Sequence, residues 1–191
     1  MNTFSRFFLT AGYGVCRIRS RGEAAKLRSF ERALRNAGIA PFNWVKVSSI
    51  VPPYAEHISK EEGLDYMRGR EGSQLFYVCA EQASCEDGEQ IGASVGVAVP
   101  MDRSKYGYLS EIHTAKTGET AVELGDRAED LAAIMLAEVM AVDFDLEKAW
   151  DEHRGIFTVG DEKVKTYNIT QMAIARMGHW TTVVSCAVLL P

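Results

Sequence analysis

The chain has 191 residues, 47% of them apolar and 25% charged, with a formal net charge of −5. That length holds one domain with a buried core, and the apolar and charged shares are those of an ordinary globule. The acidic balance, with no basic run, argues against nucleic acid as a partner, and no apolar run approaches a membrane span. Phe7-Phe8-Leu9 is broken by Gly12, Tyr13 and Gly14 with no clear cleavage site after it, so a secretory signal is not expected. Cys16, Cys79, Cys85 and Cys186 show no C-x-x-C spacing and no histidine at ligand spacing. A reduced, cytoplasmic protein without a metal site follows, with Cys79 and Cys85 read as buried hydrophobes rather than as a pair.

Residues 5–11 read as a first strand, after which Gly12 and Gly14 allow a turn or a close backbone approach. Residues 23–37 read as a helix with Leu27, Phe30, Leu34 and Ala37 as its buried stripe, stopped by Gly38. Residues 43–50 carry the β-branched Val45, Val47 and Ile50 and read as a strand. Pro52 and Pro53 end it, because neither has a backbone donor. Ser48 and Ser49 thus fall where the strand stops, and by themselves they are ordinary polar residues at a sheet exit. Residues 54–72 are mostly polar, a loop with a short helix near 60–68. Residues 74–83 and 91–99 read as strands, with Asp87-Gly88 as a hairpin signal between them. The second is rich in small residues (Gly92, Ala93, Ser94, Gly96, Ala98), which predicts a helix or backbone packed closely on it. A turn at 100–104 leads to a strand at 106–113. The longest helix is predicted over 120–141, with Val122, Leu124, Ala128, Leu131, Ile134, Met135, Glu138 and Val139 on a mostly apolar face. Residues 144–155 read as a loop with a short helix, and 164–175 and 180–190 as a closing antiparallel pair joined across Gly178-His179. The count gives one α+β domain, an antiparallel sheet packed under helices.

The run Phe30-Glu31-Arg32-Ala33-Leu34-Arg35-Asn36-Ala37-Gly38-Ile39 is followed, after a short loop, by Asn43 and then by Val47-Ser48-Ser49-Ile50-Val51-Pro52-Pro53. This pair of segments resembles the pyruvoyl-dependent arginine decarboxylases. The likeness covers residues 24–53 most closely and returns at 91–100 and 107–111. It implies an αββα four-layer fold, antiparallel β-sheets sandwiched by helices, assembled as a homotrimer. It also implies that the chain cuts itself between Ser48 and Ser49, giving pieces 1–48 and 49–191, with Ser49 converted to a covalent pyruvoyl cofactor. Asn43 matches the family asparagine that supports the cut, and Glu111 the catalytic glutamate. Glu31 stands where the family has an acid, usually Asp, facing the substrate guanidinium; it is one methylene longer. Without the resemblance, Asn43 is a turn residue, Glu111 a solvated strand carboxylate and Glu31 a surface helix charge.

The chemistry explains why such a group is needed. Decarboxylating an amino acid leaves an electron pair on the α-carbon that no side chain absorbs, so an electron sink is required. The sequence has no phosphate loop for pyridoxal phosphate, and a ketoacyl group made from the chain serves instead. The reading is therefore conversion of L-arginine to agmatine and carbon dioxide, through a Schiff base with the pyruvoyl group at 49, in polyamine or acid-resistance metabolism. Glu111 would protonate the α-carbon, which calls for burial or a nearby anion to keep it protonated. The alternatives are the same chemistry on another amino acid, or an uncut, non-enzymatic trimeric binding protein. A third is a serine hydrolase at Gly92-Ala93-Ser94-Val95-Gly96, a motif that needs a helix after its strand, whereas Val95, Val97 and Val99 continue the strand here.

Overall fold

Strands buried on both faces organise the molecule. The computed structural model describes residues 4–19, 22–151 and 155–191. Its strands are β1 (Arg6–Arg17), β2 (Asn43–Lys46), β3 (Ile50–Val51), β4 (Glu56–His57), β5 (Gln74–Ser84), β6 (Gln90–Pro100), β7 (Gly107–Ile112), β8 (Trp150–Asp151), β9 (Ile156–Val159), β10 (Glu162–Ile174) and β11 (His179–Leu190). Its helices are α1 (Gly22–Ala37), α2 (Lys60–Met67), α3 (Ala121–Met140) and α4 (Leu146–Ala149). One sheet has the order β2-β5-β11-β1-β4 and the other β3-β7-β6-β10-β9-β8. Pairing is antiparallel except where β2 joins β5 and β4 joins β1.

Three apolar layers separate four layers of structure. Phe7, Val78, Val95, Leu109 and Val183 fill the space between the sheets. Phe8, Leu34, Ile39, Val184 and Val188 lie between the first sheet and its helices α1 and α2. Leu124, Ala128, Ala132 and Leu136 close the second sheet under α3. This is the αββα order that the family resemblance implies. The innermost strands of each sheet, β6 and β11, are buried on both faces along most of their length. They therefore read as continuous apolar runs rather than as alternating ones.

The helices reach the sheets through small residues. β1 runs straight through Gly12 and Gly14, which pair with Val184 and Thr182, so no turn forms there. What those glycines allow is contact: a Cβ on Gly12 would collide with the Ala33 carbonyl, and one on Gly14 with the Ser29 carbonyl. The inner face of α1 is accordingly Ala25, Ser29, Ala33 and Ala37, while Leu27, assigned to the buried stripe from its spacing, is 70% exposed. In α3 the same holds. Leu124, Gly125, Ala128 and Ala132 face the sheet, whereas Val122, Ile134 and Val139 face outward. The small residues of β6 serve the expected purpose, since a Cβ on Gly96 would run into the Ala128 carbonyl of α3.

Several predicted neighbours turn out to belong to different sheets. β5 and β6 do not form a hairpin; β5 pairs with β11 and β6 with β10. β10 and β11 likewise lie in opposite sheets. Gly88 and Gly178 do occupy left-handed turns, with φ of 78° and 72°, but the turns carry the chain from one sheet to the other. The strand predicted over 43–50 is two strands, β2 and β3, again in opposite sheets. In the stretch predicted as a loop with a short helix over 144–155, α4 is that helix and β8 follows it, and residues 152–154 lie outside the described ones. Cys79 pairs neither with Cys85 nor as a lone hydrophobe. It is the register partner of Cys186 on β11, with Cα atoms 4.1 Å apart and the two sulfurs joined. The expectation of a wholly reduced chain is corrected to that extent, because a separation of 107 residues hides the pair from any spacing rule. Cys16 and Cys85 are free.

Gly96→Ala should lower stability by about 1–3 kcal/mol, the usual cost of overpacking a close contact, read as a lower midpoint in urea. Ala128→Gly should not relieve it, because the colliding atom is a backbone carbonyl.

Candidate active site

The peptide between Ser48 and Ser49 lies in neither ladder. β2 ends at Lys46, and the Val47 N–H makes the last bond to that sheet, to the Tyr77 carbonyl at 3.1 Å. On the other side the Ser49 carbonyl accepts from the Leu109 N–H at 2.7 Å. β3 then pairs with β7, with Ile50 opposite Tyr108 and Val51 opposite Gly107. The chain thus steps from the edge of one sheet to the edge of the other across residues 47–49 and is held at both ends of the step. Ser48 is exposed and Ser49 half-buried. Beyond Pro52 and Pro53, Tyr54 takes a left-handed conformation, with φ of 63°. It is fixed there by Arg103: the Tyr54 N–H donates to the Arg103 carbonyl at 2.7 Å, and the Arg103 guanidinium returns a bond to the Tyr54 carbonyl at 3.0 Å.

Glu111 lies beside this step. It is two residues beyond Leu109 on β7, hence on the same face, toward the space between the sheets. Its side chain is 18% exposed, and its Oε1 is 3.0 Å from Nζ of Lys46, the last residue of β2. Among the described residues no other polar group bonds that buried oxygen. The burial that an acid at this position calls for is present. The charge beside it is a cation from the opposite sheet, where an anion was sought.

A cavity of about 380 Å³ adjoins the pair, lined by Phe30, Trp44, Lys46, Tyr77, Glu81 and His113. The Trp44 and Tyr77 rings meet edge to face at 4.4 Å. Burial pushes the Tyr77 hydroxyl above its ordinary value; Lys46 opposes this, while Glu81 and Glu111 add to it. His113 Nδ1 lies 3.1 Å from the Glu81 N–H and 3.3 Å from the Glu81 carbonyl oxygen. None of Lys46, Tyr77, Glu81 or His113 stood out in the sequence. Lys46 had one available signal, its place two residues before the serine pair.

The remaining sequence candidates are more dispersed. Asn43 is exposed at the start of β2, its amide donating to the Gly72 carbonyl at 2.5 Å. It stands roughly 10 Å up the strand from Lys46 at ordinary strand rise. Glu31 is exposed on α1, next to Phe30 of the cavity and one helical turn from the exposed Leu27. Ser94 is fully buried in the middle of β6, its hydroxyl 2.7 Å from that of Thr170. No turn or helix follows it, so it has none of the geometry of a hydrolase nucleophile.

Fold and site together define an αββα protein whose chain passes between its sheets at a serine pair, beside a buried carboxylate. The family model for pyruvoyl-dependent arginine decarboxylase matches residues 6–191. The chain is 52% identical over 165 residues to a Chlorobaculum tepidum protein named a probable pyruvoyl-dependent arginine decarboxylase, covering 86% of this chain and 89% of that one. It is 44% identical over 186 residues to the pyruvoyl-dependent arginine decarboxylase of Nitrosopumilus maritimus, 97% and 96% covered. With that of Thermoplasma volcanium it shares 43% over 188 residues, 97% and 96% covered. The chain belongs to the pyruvoyl-dependent arginine decarboxylase family. It is a decarboxylase that depends on a covalently bound pyruvoyl group and acts on a small-molecule amino-acid substrate. No helix among the described residues is long and apolar enough to cross a membrane.

A fluorophosphonate probe should leave Ser94 unlabelled in the folded protein by peptide mass spectrometry, because its hydroxyl is sealed under α3 and shared with Thr170.

Proposed function

We propose that the chain cuts itself between Ser48 and Ser49, into 1–48 and 49–191, and then decarboxylates L-arginine to agmatine. The observation that carries the reading is the position of that peptide, outside both ladders and tethered by Val47 and Ser49, next to a buried carboxylate. The Ser49 hydroxyl attacks the Ser48 carbonyl and the peptide becomes an ester. Elimination releases the Ser48 carboxylate and leaves dehydroalanine at 49. Water replaces its nitrogen, ammonia leaves, and a pyruvoyl group remains. We assign Asn43, on the resemblance, as the donor to the oxyanion of the first step, which requires residues 43–49 to rearrange so that its amide leaves Gly72 and reaches the Ser48 carbonyl. A donor of that kind contributes about 3 kcal/mol where one has been removed.

Once formed, the pyruvoyl group supplies the electron sink for loss of carbon dioxide. Glu111 delivers a proton to the α-carbon. The aromatic walls of the adjoining cavity, with Glu81 at its rim, suit a planar cation, which supports arginine over an uncharged amino acid. Glu31 pairs with the guanidinium as a two-toothed acceptor. Its exposure, shared by Leu27 on the same face of α1, supports a homotrimer in which this face meets a neighbouring protomer. We place the enzyme in the cytoplasm.

Ser49→Ala should give a single uncut chain by intact mass and no release of carbon dioxide from arginine; release at the wild-type rate sinks the pyruvoyl reading. Glu111→Gln should be cut but turn over at least about a hundredfold more slowly, the range for loss of a general acid. Normal turnover would remove Glu111 from the site.

A further inference from the structure

Each turnover consumes a proton. Carbon dioxide leaves an electron pair on the α-carbon, and Glu111, in the reading above on which this inference rests, fills it and becomes an anion. Before the next turnover that carboxylate must regain a proton from solvent, and its Oε1 is buried, with no hydrogen bond among the described residues. Lys46 links that oxygen to solvent. Its Nζ is 3.0 Å from that oxygen, while its side chain is 56% exposed against 18% for Glu111. Tyr77, Glu81 and His113 share the cavity, but none of them bonds Glu111 among the described residues, and His113 Nδ1 is taken by the Glu81 backbone.

We propose that Lys46 resupplies Glu111 with the proton spent in each turnover, acting through Glu111 and also holding it in place. The ammonium gives one proton to Oε1, leaving a neutral amine and a neutral carboxyl, and the amine takes a proton from bulk water.

The test compares Lys46→Arg and Lys46→Ala in the full, self-cut enzyme. Arginine keeps the charge but does not release its proton. Both variants should be cut like wild type by intact mass and should turn over at least about tenfold more slowly. Trimethylammonium buffer should restore Lys46→Ala in proportion to its concentration. As a tertiary amine it forms no imine with a ketone, and the cavity of about 380 Å³ that Lys46 lines admits it. Wild-type turnover in Lys46→Arg, or no rescue of Lys46→Ala, overturns the proposal. If neither variant is cut, Lys46 serves the cut instead, and the proposal falls as well. Carbon dioxide release by wild type and by Glu111→Gln, run alongside, shows separately whether the parent reading has failed.

Discussion

A chain that builds two stacked sheets must leave one ladder before it can enter the other, and the backbone between them belongs to neither. Between β2 and β3 that passage is only three residues long, 47–49. A peptide inside a ladder has its carbonyl engaged and its plane fixed by neighbours on both sides. One in the passage is free of those bonds while its ends stay anchored, here by Tyr77 and Leu109. The topology thus leaves the Ser48 carbonyl outside both ladders, in the residue just before Ser49. A break there would also cost the fold little. β1 would stay paired with β11 along all of its 12 residues, and β2 with β5, so the pieces 1–48 and 49–191 are interleaved in one sheet.

The same demand for close stacking explains which sequence signals held and which did not. Helix positions, strand positions and turn glycines were legible, because propensity and backbone conformation are local. Which strands pair was not. Asp87-Gly88 and Gly178-His179 turn the chain sharply in either case, and nothing local distinguishes doubling back within a sheet from crossing to the other. Helix faces misled for a related reason. Periodicity selects the largest apolar residues, but α1 and α3 are drawn in through Ala33, Ala37 and Ala128 against Gly12 and Gly96, leaving Leu27 and Val122 outside.

Of the candidate site, Ser48, Ser49 and Glu111 were legible through the resemblance, since their identity and spacing are what a family keeps. The structure draws these three into one corner and leaves Asn43 and Glu31 apart from it. Lys46 escaped because its meaning is not local. On a strand of alternating Trp44, Val45, Lys46 and Val47 it reads as a solvated charge, and only the pairing of β3 with β7 brings Glu111 within reach.

That reach is a requirement of the fold as well as of the chemistry. An ionised carboxylate sealed between two sheets without a partner costs several kcal/mol. A cation is therefore needed at this point whatever reaction follows. β7 faces the inter-sheet core with Leu109 and Glu111, and neither is a cation. The other sheet delivers one where its edge strand ends, at Lys46, immediately before the chain crosses. The ion pair and the crossing are thus two consequences of one arrangement: the residue that compensates Glu111 and the peptide between Ser48 and Ser49 are placed by the same strand end.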